Sequence, residues 1–241
     1  MEVLGFEITR EALLRALVIL VLASMPSVAW FFKIRRKMLA YTVALIRSIE
    51  ETLKPRDQRY WVHGYLVGFA AKYWVRRGPV DKVYVNFTIP PYHVFFYLPV
   101  IALFRKRERL DIAVEYSKPL GVRGEAHLYD PSRRSVRSIV ERDVRESPFY
   151  RKGGFERGEL RAGGKTMRYY ARGEALQLAQ KLAEDLSELG EVFRVSVVPS
   201  RKMVLATIAP KSAEAGGEAV RLLTSPQRVE RVAGGGEASS G

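Results

Sequence analysis

One uncharged apolar run near the start of the sequence constrains everything that follows it. The run extends from Ala16 to Phe32, and its 17 residues span about 25 Å as a helix. Residues 13–15 lengthen the helix to about 30 Å if the arginine among them snorkels, which matches the hydrocarbon core of a bilayer. The sequence therefore predicts a transmembrane helix over residues 10–33 and a short external N-terminus over residues 1–9.

Two other interpretations of the run remain open, a cleavable export signal and a buried core helix. A signal peptide normally begins with a basic segment, whereas Glu2, Glu7 and Glu11 precede this run. The sequence Ser-Val-Ala at 27–29 nevertheless resembles a cleavage site. A core helix is disfavoured because basic residues follow the run at once. A permanent anchor fits best, and Thr9 can cap its first turn.

The basic residues after the run set the expected orientation. They form a cluster within five positions, which consists of Lys33, Arg35, Arg36 and Lys37. Because positively charged flanks stay in the cytoplasm, we expect an external N-terminus and a cytoplasmic domain. We also expect the cluster to contact anionic lipid head groups, so membrane lipid is one predicted partner. Together these features predict a single-pass protein of the cell membrane.

The remaining chain predicts an α+β fold, in which a mostly antiparallel sheet and one long amphipathic helix follow the transmembrane helix. Residues 34–54 are expected to form a juxtamembrane amphipathic helix, and residues 55–210 a cytoplasmic α+β domain. Alternating apolar residues predict a hairpin of strands over 65–75 and 82–89. Residues 211–241 are rich in Gly, Ala, Ser and Glu and predict a flexible C-terminal tail, with a short helix over Glu218–Leu223 as the one alternative.

A second apolar segment, residues 92–104, is thirteen residues long and too short to cross a bilayer. Its length favours a core element under the sheet. The alternative is a segment that lies in the membrane interface. In that case the basic residues that follow it, Arg105, Lys106 and Arg107, would contact head groups.

The composition is strongly basic, with a net charge of +14 and a pI of about 10.1, which favours anionic partners. Much of the charge falls in an insert over residues 131–165, expected to be mobile loop apart from a short helix over 135–145. Aromatic residues are interleaved with arginines there, a mixture that suits phosphates and bases. Acidic residues in the insert leave a second interpretation open, a loop whose charges pair with each other. The candidate residues for an anionic partner such as RNA or a ribosome are Arg133, Arg134, Arg137, Arg151, Lys152 and Arg157.

No residue pattern in the sequence predicts catalysis, a cofactor or a metal site. The chain has no cysteine, which excludes disulfides and thiolate chemistry. The histidines at 63, 93 and 127 lack the spacing of a metal motif. The sequence Ala-Gly-Gly-Lys-Thr at 162–166 resembles the end of a P-loop but follows no apolar strand, so a glycine hairpin is expected. A single asparagine with abundant arginine is typical of thermophilic proteins.

The sequence therefore favours a membrane-anchored protein that presents a basic cytoplasmic domain. The leading hypothesis is a non-enzymatic adaptor or assembly subunit that binds an anionic partner or a membrane-protein complex. In the assembly version, the anchor would pack on other helices through small residues such as Ser24 and Ser27. The alternative is a membrane-bound enzyme that acts on a phosphorylated or lipidic substrate, with its site between the sheet and residues 92–104.

Overall fold

The fold is built on one long helix, α1, which extends over Arg10–Leu53 and is 44 residues long. Thr9 caps its start, because the Thr9 hydroxyl accepts the Ala12 N–H at 3.2 Å. Lys54 ends the helix in a left-handed conformation, and a proline follows. The two predicted helices over 10–33 and 34–54 are thus one continuous helix. The computed structural model describes residues 2–3, 6–7, 9–64, 66–104, 106–151 and 154–225.

The two halves of α1 have opposite environments. The first half contains an 18-residue window with a mean hydropathy of 2.1 and no buried residue, so it is long and apolar enough to cross a membrane. In the second half, Leu45, Ile49 and Leu53 recur every four residues and are buried against the domain. The apolar half therefore continues a helix whose second half belongs to the domain core.

Within the described residues, nine strands form one sheet in which every neighbouring pair is antiparallel, in the order β3-β4-β5-β6-β11-β10-β7-β9-β8. This confirms the predicted α+β class and its antiparallel sheet. Two short strands, β1 (Glu2–Val3) and β2 (Phe6–Glu7), pair with each other ahead of α1. The strands of the large sheet are β3 (Asp57–Gly64), β4 (Gly68–Arg77), β5 (Val80–Thr88), β6 (Arg109–Tyr116), β7 (Glu125–Tyr129), β8 (Glu156–Ala162), β9 (Lys165–Arg172), β10 (Gly190–Val198) and β11 (Met203–Pro210).

Helices cover most of one face of the sheet and part of the other face. The second half of α1, α5 and α6 bury the apolar side chains of the first face in the main core. On the second face, α3 packs Val136, Val140 and Val144 against β7 and β10. The remainder of the second face, on β3 to β6 and β11, is open and carries both apolar and polar side chains. The shorter helices are α2 (Leu98–Leu103), α3 (Arg134–Glu146), α4 (Pro148–Arg151), α5 (Ala175–Ser187) and α6 (Ala213–Thr224).

The prediction of a flexible tail from residue 211 is wrong for α6, which packs along the second half of α1. Two glycines make this close approach possible. A Cβ atom on Gly216 would overlap Leu45, and one on Gly217 would lie 2.9 Å from the Ser48 carbonyl oxygen. The glycines that resemble a linker in the sequence are therefore contact residues in the fold. Residues 226–241 of the predicted tail lie outside the described residues.

The prediction that the insert over 131–165 is mostly mobile loop is also wrong. Its first part folds into α3 and α4, and its second part forms β8, which pairs with β9 through the predicted glycine hairpin. The insert therefore completes one edge of the sheet and covers part of its second face. Ordered structure forms here because Val136, Val140 and Val144 give α3 an apolar stripe that the arginines obscure in the sequence.

Candidate functional site

Residues 92–97 dock on α1 where its apolar half meets the domain. The Trp30 indole N–H donates to the Tyr92 carbonyl oxygen at 2.8 Å. The same indole ring meets Phe95 edge to face, with 6.1 Å between ring centroids, and Phe31 meets His93 in the same manner at 6.0 Å. These contacts fix the position of the segment relative to the exposed apolar helix.

The prediction that residues 92–104 form a core element under the sheet is wrong. The segment forms a 3-10 turn over Phe95–Tyr97 and then α2, and it lies at the side of the domain beside α1. Phe96, Leu103 and Phe104 are 67%, 78% and 64% exposed, whereas Ile101 is buried. The segment thus extends the exposed apolar surface of α1, which is the geometry that the interfacial alternative requires.

A groove with a volume of about 1220 Å³ separates α2 from the start of α3, and we call it the basic groove. The apolar lining is supplied by α2 and the residue after it. The basic lining comes from both sides, because Lys106 and Arg107 follow α2 whereas Arg133 and Arg134 lie at the start of α3. The residues that line the basic groove are Tyr92, Leu98, Ile101, Ala102, Leu103, Phe104, Lys106, Arg107, Ser132, Arg133, Arg134, Ser135 and Glu191.

One carboxylate, Glu191, is shared by several cations in the basic groove. Arg107 and Arg133 approach it at 3.6 and 3.5 Å, and Lys165 approaches it at 3.6 Å. These distances exceed the 2.7–2.9 Å of a strong charge-assisted hydrogen bond. Arg134 is exposed at the rim. The basic side chains therefore outnumber the carboxylates that line the groove.

Asp130 stands behind the basic groove and is held as a carboxylate. Its side chain accepts from Lys165 Nζ at 2.6 Å and from the Ser132 hydroxyl at 2.7 Å. Burial acts to raise the pKa of Asp130, but these hydrogen bonds and the Lys165 charge outweigh it and hold the pKa below its usual value. Asp130 is therefore ionised at neutral pH and orients Lys165 rather than acting as an acid.

The structure divides the predicted anionic-partner residues between two places. Arg133 and Arg134 line the basic groove, whereas Arg137 and Arg157 lie near Tyr170. Arg151 is the last residue of α4. Lys152 lies outside the described residues.

The predicted head-group residues lie in two groups. Lys106 and Arg107 border the basic groove, and Arg105 lies outside the described residues. On α1, the basic cluster follows directly after the apolar half. Lys33, Arg36 and Lys37 are exposed there, and Arg35 is half-buried.

A second basic surface surrounds two stacked tyrosines. The rings of Tyr129 and Tyr170 are parallel within 8°, with 5.9 Å between their centroids, and the Arg157 guanidinium lies 5.2 Å from the Tyr170 ring. Burial and the neighbouring Tyr170 raise the pKa of Tyr129 to about 12, so this phenol keeps its proton. We call these residues, with Arg137 and Arg168, the tyrosine–arginine patch.

The arginines of the tyrosine–arginine patch are partly neutralised within the fold. Arg137 pairs with Glu141 at 2.7 Å, and Arg168 pairs with Glu159 at 2.8 Å. Both pairs are solvent-exposed, so each contributes little to stability and can exchange with a partner. Arg137 and Glu141 both belong to the insert over 131–165, so the interpretation of a self-paired insert is correct for this arginine.

A chain of buried polar side chains, which sequence reasoning missed, lies between α3 and the sheet. Arg194 donates to Asp143 at 2.6 Å and to the Ser196 hydroxyl at 2.8 Å. Ser196 lies opposite His127 on the neighbouring strand, with 3.0 Å between the hydroxyl and Nδ1. His127 Nε2 is 2.8 Å from a Glu125 oxygen. Burial lowers the pKa of Arg194 against the opposing effect of Asp143.

The hydrogen bonds of this buried chain hold both ring nitrogens of His127. Nε2 pairs with the Glu125 carboxylate, and Nδ1 pairs with the Ser196 hydroxyl. The Ser196 oxygen also accepts from Arg194. The order Ser-His-Glu resembles a catalytic triad, but Ser196 is fully buried and its oxygen is occupied. The chain therefore fastens α3 to the sheet.

The open part of the second face holds a shallow cleft of about 320 Å³. Asp111 is its central polar group and accepts from Arg109 Nε at 2.9 Å, Thr207 at 2.7 Å and Asn86 at 3.1 Å. His63 continues the network at 2.6 Å from the Asn86 side-chain oxygen. Because the donors and acceptors of this cleft satisfy one another, its geometry favours a ligand less than that of the basic groove.

Neither protein-family models nor curated protein sequences match this chain. Among the described residues, no group of three or more His, Asp or Glu side chains is arranged to hold a metal ion.

Proposed function

We propose that this chain is a single-pass membrane protein in which the first half of α1 crosses the bilayer. The domain lies on the cytoplasmic side, because the basic cluster after the apolar half favours that orientation. In this arrangement the chain acts as a non-enzymatic adaptor or assembly subunit that holds an anionic partner or a membrane-protein complex beside the membrane.

The observation that carries this proposal is the continuity of α1. The same helix is exposed and apolar over its first half and buried through Leu45, Ile49 and Leu53 over its second half. No loop separates the two halves, since the helix runs unbroken over Arg10–Leu53. A flexible tether would let the domain diffuse away from the bilayer, whereas this helix holds one side of the domain against it. A domain held in one position beside the membrane suits a protein that binds a partner there.

The tyrosine–arginine patch is the surface that best supports the partner-binding part of the proposal. It combines cations with the stacked aromatic pair of Tyr129 and Tyr170. Its ion pairs with Glu141 and Glu159 are exposed and can be replaced by a partner's anionic groups. An anionic segment of RNA or of an acidic protein has the complementary charge.

Affinity purification of the full chain from native membranes in a mild detergent tests the adaptor function. We expect a bound protein or nucleic acid at fixed stoichiometry, which dissociates as the salt concentration rises. Arg137→Glu with Arg157→Glu should reduce the recovered partner about tenfold or more, because both cations border Tyr170. The control is Arg59→Glu with Arg201→Glu, an equal charge change at exposed sites elsewhere. A monodisperse monomer without a partner would contradict the proposal.

A membrane-bound enzyme acting on a phosphorylated or lipidic substrate is the second candidate. One observation favours it: the basic groove borders residues 92–104, and the Lys165–Asp130 pair adjoins it through Glu191, which lies 3.6 Å from Lys165. Chemical change in a phospholipid incubated with the purified chain would distinguish this function from simple binding.

A further inference from the structure

We propose that the basic groove binds the phosphate head group of an anionic phospholipid whose acyl chains remain in the adjacent leaflet. The inference rests on the proposed membrane anchoring, because it requires the groove to open at the level of the head groups. It assigns a ligand class to a surface that the adaptor function leaves unused.

The position of the groove is the first argument. Its α2 wall follows directly from the segment that Trp30 holds through the Tyr92 carbonyl oxygen, at 2.8 Å. Trp30 lies two residues before the end of the uncharged run, at the depth where interfacial tryptophans are enriched. The groove is thus tied to the end of the apolar half of α1. Leu103 and Phe104, which line the groove, are also among the most exposed apolar residues.

The chemistry of the groove lining is the second argument. Leu98, Ile101 and Leu103 supply apolar lining, and basic side chains line the same groove both after α2 and at the start of α3. A free phosphate would leave the apolar lining in water, and a hydrocarbon chain alone would leave the cations without an anion. A glycerophospholipid has an anionic group and an apolar body in the required order. Its charge and its polarity both complement the groove.

The balance of charge is the third argument. The side chains lining the groove include the cations Lys106, Arg107, Arg133 and Arg134 and the single carboxylate Glu191. Arg107 remains 61% exposed although it lies 3.6 Å from Glu191. Its guanidinium can therefore donate to a phosphate without giving up a strong pair. An anionic ligand would offset the mutual repulsion of these cations.

The size of the groove is the fourth argument. At about 1220 Å³ it exceeds the roughly 300–1,000 Å³ of most small-molecule sites, and it is open rather than enclosed. An open groove of this size admits a head group and the upper part of the acyl chains from the side. It does not need to enclose the whole ligand, because the bilayer solvates the remainder.

Native mass spectrometry of the full chain in mild detergent tests this inference with two lipid probes, phosphatidylglycerol and phosphatidylcholine. We expect retention of phosphatidylglycerol and little retention of phosphatidylcholine. Arg107→Glu with Arg134→Glu should reduce phosphatidylglycerol retention about tenfold or more, since two attractive charges become repulsive. The matched control is Arg142→Glu with Arg145→Glu, the same charge change on α3 away from the groove, and it should retain the lipid within about twofold.

A second variant separates a lipid from a soluble anion. Leu103→Ser with Phe104→Ser changes exposed side chains of the apolar lining and leaves the cations in place. We expect this variant to retain less phosphatidylglycerol than the unaltered chain and to retain no more phosphatidylcholine. The inference is overturned if the two arginine-pair variants lose phosphatidylglycerol equally or if the unaltered chain retains both lipids equally. It is also overturned if inorganic phosphate competes for the groove as effectively as the lipid does.

Flotation of the same chain with phosphatidylcholine vesicles keeps this test separate from the membrane proposal. A chain that floats with the vesicles but shows no preference for phosphatidylglycerol contradicts the lipid site alone. A chain that does not float contradicts the membrane proposal, and the lipid site with it.

Discussion

Arg194→Met is expected to destabilise the domain by about 3 kcal/mol, which corresponds to a fall in Tm of about 6–12 °C for a domain of this size. Arg194 is almost fully buried and pairs with Asp143 at 2.6 Å and with Ser196 at 2.8 Å. Methionine preserves the apolar stem of the side chain but removes the charge. Asp143 then lacks its closest cation, and Ser196 loses a donor. Thermal unfolding of the detergent-solubilised full chain measures the effect.

The control for this prediction is Arg142→Met, which removes a different cation from the same aspartate. Arg142 is 67% exposed and lies 3.9 Å from Asp143, so its loss should cost less than about 1 kcal/mol. The double variant Arg194→Met, Asp143→Leu should recover part of the lost stability, because it leaves no unpaired charge. Equal, small effects of Arg194→Met and Arg142→Met would show that the buried chain does not hold α3 to the sheet.

Leu20→Arg with Leu22→Arg is expected to release the chain from membranes. Each arginine near the centre of a spanning helix costs about 2.5–3.5 kcal/mol, so the pair opposes insertion by about 5–7 kcal/mol. Both leucines are exposed in the apolar half of α1, so neither substitution disturbs the packing of the domain. Flotation on a density gradient after alkaline extraction separates inserted chains from released or aggregated ones.

Leu39→Arg with Val43→Arg is the matched control, since these two residues are exposed on the same helix after the basic cluster. This variant should float as the unaltered chain does. Release of the unaltered chain by alkali, or flotation of the Leu20→Arg, Leu22→Arg variant, would contradict insertion of α1.

The parts of the fold that the sequence predicted are those whose side chains alternate between different environments. In β5, Val83, Val85 and Phe87 are buried, and this alternation is visible in the sequence. β3 forms an edge of the sheet and is exposed at six of its eight positions, so no alternation marks it. Edge strands lack the one-sided burial on which pattern reasoning depends.

Apolar composition alone did not distinguish a core element from an exposed one. Residues 92–104 have the length and composition of a core segment, yet only Ile101 is buried among the residues of α2. Gly216 and Gly217 led to the opposite error, a flexible tail predicted where a packed helix forms. Glycine is common both in linkers and where two helices approach closely. In each case, the packing of the segment against α1 decided whether its residues are buried or exposed. That packing is tertiary structure and leaves no local pattern in the sequence.

The candidate sites were predicted in part. Arg133, Arg134 and Arg107 were named from charge runs, but nothing in the sequence indicated that they share a groove with α2. The buried chain was missed because Ser196 and His127 are 69 residues apart and meet through strand pairing. A local signal was present in the placement of Glu125 and His127 two residues apart, which puts both side chains on one face of β7.

Single-cysteine labelling in intact cells tests the central claim most directly, because the chain has no cysteine of its own. Glu2→Cys reports the side of the N-terminus, and Lys181→Cys reports the side of the domain from an exposed position on α5. With a maleimide that cannot cross membranes, the account predicts labelling at position 2 in intact cells and at position 181 only after permeabilisation. Labelling of position 181 in intact cells, or of neither position until permeabilisation, would contradict a spanning helix with a cytoplasmic domain.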